Sequence, residues 1–428
     1  MAQFADLSLY QYMKDDTIFN KINTTFIKMD SDVITHQNPI LQTILDELIT
    51  AMKMQSPLFA KTFQKISWVG SFYKGTRVGE PGEYDIDIVI NLPFKERDIQ
   101  FTKDRPGCIK MCTVWRDINP QKALNLDPKV SKELKSFIDD ESYLNQEKFR
   151  NWMEGVLNKV AYATSGCSII KLPGREPIKM KKSGPAFTLT VNYDWKTIDI
   201  DVVPALSFSV CSLPRCPKTD ILQSCPDRKW FAIPKPFNDS EHGSYDFQYR
   251  YWRLSFYEFE KDIFSTHEYG RMKPVIRHLK KFRDTRNWTS IASYYLETLC
   301  YHERELFRIS HNLSYTFLFY KMLEKLRDAF RDHRIRHYWD DDLNLLEKIG
   351  YHEMQNMEGR IQNILENIGR TIQTDRYAMA KYTLNSTELN ILVIYDAATI
   401  ISNMFWPEVP EPELESESES NASKCMIQ

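Results

Sequence analysis

Val69-Gly70-Ser71-Phe72-Tyr73, then Pro81-Gly82-Glu83-Tyr84-Asp85-Ile86, answered far downstream by Ile198-Asp199-Ile200-Asp201-Val202-Val203, are the stretches on which the fold of this chain turns. In an extended strand alternate side chains point the same way. Glu83 and Asp85 therefore put both carboxylates on one face while Tyr84, Ile86, Ile88 and Ile90 fill the other. Asp201, on a second strand, completes a cage of three acids. Carboxylate oxygens suit Mg²⁺ and Mn²⁺, and two such ions stabilise the attacking and the leaving oxygen of an in-line phosphoryl displacement. On this reading Glu83, Asp85 and Asp201 are both metal ligands and catalytic residues. Gly70 ends a strand built on Ile66 and Trp68; it lets backbone come close to phosphate oxygens, which the Ser71 hydroxyl and nearby N–H groups can grip. Either local piece alone reads equally well as a hairpin with a solvated acidic face. The spacing of all three pieces is what separates the two readings.

The 428 residues are 42% hydrophobic and 13% aromatic, enough for two domains or one bilobed unit with a large core. No charged-then-apolar leader and no run of about 18 apolar residues is present, so a membrane span is not expected. The eight cysteines lack the regular spacing of a disulfide scaffold, which points to a reducing, cytoplasmic setting. Cys211, Cys216 and Cys225 have irregular gaps and no close His pair, so they do not read as a metal site. Residues 407–428 carry six Glu and one Lys, net −5, which leaves +3 for the rest of a chain whose total is −2. This tail, with its Glu-Ser alternation, is too polar to bury anything and is expected to be disordered. Its last residues, Cys425-Met426-Ile427-Gln428, fit a C-a-a-X prenylation box, although the upstream residues are acidic and one lipid chain binds membranes only weakly.

Apolar positions Ile40, Leu41, Ile44, Leu45, Leu48, Ile49 and Met52 recur at helical spacing and predict a long helix over 39–66 that leads into the Gly-Ser strand. A further helix is expected from Tyr143 to Ala163, before strands at Cys167–Lys171, Ala186–Asn192 and Thr197–Val203. Beyond about residue 240 the pattern becomes helical: Arg271–Arg283, Ser290–Arg308, Tyr315–Arg331 and Asp342–Gly369. The resulting class is α+β, a mixed-sheet catalytic core with an N-terminal spine helix and a helical C-terminal lobe. The expected divisions are 1–66 for the N-terminal segment and spine, 67–240 for the core, 241–406 for the helical lobe and 407–428 for the tail.

The Gly-Ser and Glu-x-Asp stretches resemble the catalytic entry of the cyclic GMP-AMP synthase and Mab-21-like nucleotidyltransferases. Ser183-Gly184-Pro185-Ala186-Phe187-Thr188-Leu189 and Ile200-Asp201-Val202-Val203-Pro204-Ala205-Leu206 are similar to the strand pair bearing that family's third acid. Trp252-Arg253-Leu254-Ser255-Phe256-Tyr257, with Glu260, resembles the start of its helical lobe. The matches run in order from about residue 60 to 350 and are closest to animal cGAS-like receptors of the insect type. The resemblance implies a bilobed nucleotidyltransferase that joins ATP and GTP into a cyclic dinucleotide for a STING-type antiviral pathway. It also implies nucleotide contacts from Ser71, Arg253, Ser255 and Glu260, a triphosphate contact from Lys273, and a phosphate and base-stacking pair in Ser293 and Tyr294. Asp87 and Asp199 share the acidic face, but the family spacing from Ser71 favours Glu83 and Asp85 as the ligands.

In one respect the chain departs from the vertebrate synthase. That enzyme's zinc thumb, one His and three Cys, would fall between Phe264 and Arg271, where this chain has only Ser265-Thr266-His267-Glu268-Tyr269-Gly270. No zinc is expected, and double-stranded RNA becomes a better activator than double-stranded DNA. Lys61 and Lys65, then Lys179, Lys181 and Lys182, then Lys280 and Lys281 are basic clusters that would straddle phosphates of a duplex read by shape. Two other functions share parts of this pattern: a linear oligonucleotide synthase with the same acid cage, and a Mab-21-like scaffold without activity.

Overall fold

The computed structural model describes residues 9–28, 31–79, 82–114, 124–164, 167–193, 196–213, 216–225, 227–235 and 245–405. The acidic tail and Cys425 lie outside the described residues. The expected spine forms as helix α1 (Ser31–Gln55), on which Leu41, Ile44, Leu45, Leu48, Ile49 and Met52 are all buried. It ends at Gln55, short of residue 66. Ser56 caps a new helix by accepting from the Phe59 amide at 3.0 Å, and Pro57 takes its first position, giving α2 (Pro57–Thr62). From Phe63 the chain is extended, so Lys65 lies on a strand, and a boundary at 66 would cut that strand.

Among the described residues eleven strands form one mixed sheet: β1 (Phe63–Val69), β2 (Glu83–Ile90), β3 (Ile99–Arg105), β4 (Cys108–Thr113), β5 (Ala161–Thr164), β6 (Cys167–Ile170), β7 (Ile178–Ser183), β8 (Ala186–Tyr193), β9 (Lys196–Ser209), β10 (Lys229–Ile233) and β11 (Tyr251–Ser255). The order is β3-β4-β11-β10-β9-β8-β7-β6-β5, with β2 parallel to β9 and β1 antiparallel to β2. The fourteen-residue β9 organises the sheet: β8 and then β10 pair with one edge, and β2 runs along the other. Because β11 belongs to this sheet, the sheet reaches past residue 240 to Ser255, further than the sequence placed it.

Around the sheet lie α3 (Gly70–Lys74), α4 (Gln146–Val160) and then the helical lobe: α5 (Tyr257–Ser265), α6 (Met272–Thr285), α7 (Ser293–His302), α8 (Tyr315–Arg331), α9 (Tyr351–Thr371) and α10 (Ser386–Phe405). Helix α8 has the expected bounds. The helix expected from Asp342 starts only at Tyr351, because β12 (Arg336–His337) and β13 (Asp340–Asn344) form a hairpin there. Sheet and helices share one continuous core in which Trp230, Trp252 and Trp339 are fully buried. Trp339, brought by the hairpin, stacks on Phe256 at 4.9 Å between ring centres and seals the junction of the two lobes.

Candidate active site

Asp85 and Asp201 stand opposite each other in the parallel β2–β9 ladder, with Glu83 two residues earlier on β2. Tyr84, Ile86, Ile88 and Ile90 are buried on the other face, so the strand period alone turns the acids outward. One oxygen from each of Glu83, Asp85 and Asp201 lies within 4.8 Å of the other two. Burial first, then the charges of Asp201 and Asp85, raise Glu83 above the ordinary carboxylate range; burial and Asp201 do the same to Asp85. Three convergent carboxylates that repel one another are the donor set a divalent cation relieves.

Two neighbouring acids fall outside this cluster. Asp199 stands opposite Glu83 in the ladder and accepts from Thr190 Oγ1 at 2.7 Å, but its oxygens are not among the convergent set. Asp87 is buried, and burial followed by the Asp85 charge pushes it up to about 8, so near neutral pH it is mainly uncharged and a poor metal ligand. Sequence reasoning missed two groups that steady the cage. Thr188, the β8 partner of Asp201, donates to Asp201 Oδ1 at 2.5 Å, and Arg77 donates to the Glu83 carbonyl at 2.6 Å while its charge partly offsets the acids. The threonine was legible as a polar residue alternating with the buried Phe187 and Leu189 and so lying on the acids' side of the sheet; the arginine lies in a connection with no periodicity to place it.

Gly70 is obligatory here. Its φ is +75°, and a Cβ at this position would lie 2.1 Å from Asp85 Oδ2. The Gly-Ser turn is thus pressed directly against one of the three clustered carboxylates, which brings the α3 turn and the acid cage into one site.

A cavity of about 470 Å³ opens beside Asp85 between the sheet and the helical lobe. Arg253, Ser255, Glu260 and Tyr294, all expected from the sequence, line it together with Gly70, Lys74, Tyr257 and His337. Ser71, Lys273 and Ser293 are not among its lining residues. The Lys273 Nζ lies 3.7 Å from where a Cβ on Gly75 would sit, at the far end of α3, and Ser293 accepts from Arg283 Nη1 at 3.0 Å. A second cavity of about 290 Å³, walled by Phe19, His278 and Met379, lies away from the acids.

Glu260 and Glu297 lock this site to the helical lobe. Lys74, the last residue of α3, meets Glu260 Oε2 at 2.5 Å and Glu297 Oε2 at 3.2 Å, all three being buried. Glu260 Oε1 also accepts from Tyr294 at 2.9 Å and from the Trp339 indole at 3.1 Å. Glu297 Oε1 accepts from Lys280 at 2.7 Å and Thr76 at 2.8 Å. Burial works against the charge on Lys74, but the two glutamates outweigh it and hold Lys74 above the usual lysine value. Burial is likewise outweighed at Glu297, which Lys74 and Lys280 bring down to about 2.

Lys280 therefore corrects the expected nucleic-acid surface: it is 2% exposed and points inward to Glu297. Lys281 is tied to Glu388 at 2.5 Å, Lys65 to Glu258 at 2.7 Å and Lys182 to Glu154 at 2.5 Å. Lys61, Lys179 and Lys181 are exposed, the last two on the same face of β7.

The fold and the acid cage define a nucleotidyltransferase. A family profile described as Mab-21 protein nucleotidyltransferase domain matches residues 72–266, and one described as Mab-21 protein HhH/H2TH-like domain matches residues 271–363. The chain is 32% identical over 383 residues to a cyclic GMP-AMP synthase-like receptor of Microplitis demolitor, covering 88% of this chain and 69% of that protein. It is 32% identical over 412 residues to one of Trichogramma pretiosum, covering 92% and 81%, and 31% identical over 396 residues to one of Aethina tumida, covering 89% and 94%. The chain belongs to the Mab-21 family of nucleotidyltransferases, within its cGAS-like receptor group. Among the described residues no helix is long and apolar enough to cross a membrane.

Proposed function

We propose that this nucleotidyltransferase joins ATP and GTP into a cyclic GMP-AMP-type dinucleotide when double-stranded RNA binds it, and that the product serves a STING-type receptor. The observation that carries the reading is the register of Asp85 against Asp201, with Gly70 packed on Asp85 at the mouth of a cavity walled by Arg253 and Tyr294. Glu83, Asp85 and Asp201 would hold divalent cations, Mg²⁺ or Mn²⁺, whose charge offsets that of the triphosphate and of the leaving pyrophosphate.

The chain's own groups supply position and proton handling. Thr188 fixes the carboxylate plane of Asp201 before substrate arrives, so Asp201 is set to accept the hydrogen of an attacking ribose hydroxyl. The Gly70-Ser71 backbone and the Ser71 hydroxyl grip polyphosphate oxygens, and Lys273 contacts the triphosphate. Tyr294, held by Glu260, offers a flat face for a purine, with Arg253 and Ser255 as neighbours and Ser293 as a phosphate contact. A second transfer on the same acids closes the ring. Activation by a duplex draws on Lys61, Lys65, Lys179, Lys181 and Lys182, all of them exposed members of the basic set.

The test is incubation with labelled ATP and GTP and Mg²⁺ or Mn²⁺, with no nucleic acid, duplex RNA or duplex DNA, and products resolved after phosphatase. A phosphatase-resistant dinucleotide formed with duplex RNA is the expected result. Phosphatase-sensitive linear products would replace this reading by an oligonucleotide synthase, and product with DNA alone would overturn the choice of activator.

A further inference from the structure

Helix α10 carries apolar side chains on the side that faces away from the molecule. Its inner side is well anchored: Leu392 is buried with Ile18, Ile22, Ala380 and Leu384, and Asp396, fully buried, receives Lys21 at 2.6 Å and the Tyr377 hydroxyl at 2.6 Å. On the other side Ile394 is 67% exposed, Tyr395 61% and Ile391 37%, and Ala398 is exposed. Ile391, Ile394 and Ala398 follow the alternating three-and-four spacing of a helix-pairing seam, and the sequence continues it at Ile401 and Phe405. Asp396 is the only charged residue from Leu389 to Phe405, and it is turned inward, so the outer face bears no charge.

We propose that this face is a self-association surface, with α10 pairing antiparallel with α10 of a second copy about a two-fold axis at Ala398. Three observations select a second copy. A two-fold contact sets each residue against its own surface, which an uncharged stripe permits without like-charge repulsion. Ala398 gives the close approach that a helix crossing needs, and Ile391 and Phe405 lie seven residues to either side of it in sequence. A lipid surface is a poor match, since the helix has no Lys or Arg on its outer face and the following residues 407–428 carry net −5. The tail also sets the direction. A parallel pair would place two acidic segments side by side, whereas an antiparallel pair separates them by the helix length and opposes the helix dipoles. About 15 residues of helix give a contact roughly 22 Å long and about 10 Å wide, a footprint on the order of 220 Å² on each copy, below that of standard specific dimers, so the dimer is weak and transient.

Sedimentation equilibrium of the full chain, at concentrations from about 1 to 100 µM, tests this directly. The expected result is a monomer–dimer equilibrium with micromolar Kd that Ile394→Glu abolishes while leaving thermal stability and unstimulated nucleotide transfer unchanged. In parallel, Ala398→Cys should give a covalent dimer under mild oxidation, at a rate well above that of the unsubstituted protein and of a Cys placed at Val393 on the flank. A monomer throughout the range, a dimer indifferent to Ile394→Glu, or equal crosslinking at 393 and 398 would each overturn the proposal. Flotation of the monomeric protein with phosphatidylcholine–phosphatidylserine vesicles, lost in Ile394→Glu, would assign the face to a bilayer instead.

Discussion

Asp85 has two neighbours that leave it almost no freedom: Asp201 across the ladder and the bare α-carbon of Gly70. Replacing Asp85 or Asp201 by Asn keeps volume and removes one of the charges proposed to hold the divalent cations. Each variant should lose at least about a thousandfold in nucleotide transfer, on the scale of catalytic groups, with a melting temperature equal to or above that of the parent because a repulsion is relieved. Gly70→Ala is a different kind of change. The methyl would meet Asp85 Oδ2 at 2.1 Å in a left-handed backbone conformation, so both the turn and the acid must move. A loss of activity together with about 1–3 kcal/mol of stability is expected by urea unfolding, and activity near the parent level would show that the turn is not held against the acid.

Helix α3 is only five residues long, and its place is fixed from outside by α5 and α7 through Lys74. Lys74→Met would leave Glu260 and Glu297 short of a buried partner, a loss of about 3–5 kcal/mol; adding Glu260→Gln should recover much of it, measured as the midpoint of urea unfolding. The same buried group predicts an acid limit. Glu297 sits near 2 when folded against about 4.5 for an ordinary glutamate, so between those values the unfolded chain binds more protons and stability falls as pH drops. Glu297 contributes fully above about pH 5 and progressively less toward pH 2. Glu297→Gln should flatten that part of the stability curve relative to the parent, and an unchanged slope between pH 5 and 3 would remove Glu297 as its source.

At the scale of the whole molecule, the expected RNA surface separates into groups that face water and groups that hold the lobes together. Lys179→Glu with Lys181→Glu should weaken duplex-stimulated synthesis and lower its salt dependence, leaving unstimulated transfer intact. Lys280→Glu should behave otherwise, lowering the melting temperature and all activity alike, because it sets a second negative charge against Glu297 inside the core. A Lys280→Glu protein that melts normally but responds less to duplex would restore Lys280 to the nucleic-acid surface.

The acid cage was legible because a strand's two-residue period and the Gly-Ser spacing are local rules, and Glu83, Asp85 and Asp201 obey them wherever their strands end up. The spine and α8 were legible for the same reason, as long stretches with one dominant period. The end of α1 was not, since Ser56-Pro57 interrupts a pattern whose apolar spacing runs on. Nor was the β12–β13 hairpin, which is short and charged and is positioned by what Trp339 packs against. By itself the sequence determined which side chains share a face and where carboxylates recur. Only the tertiary structure decided which charges are spent inside: Lys280 lies next to the apolar stripe of α6, where periodicity permits either direction, and Glu297 on α7, seventeen residues later, draws it inward.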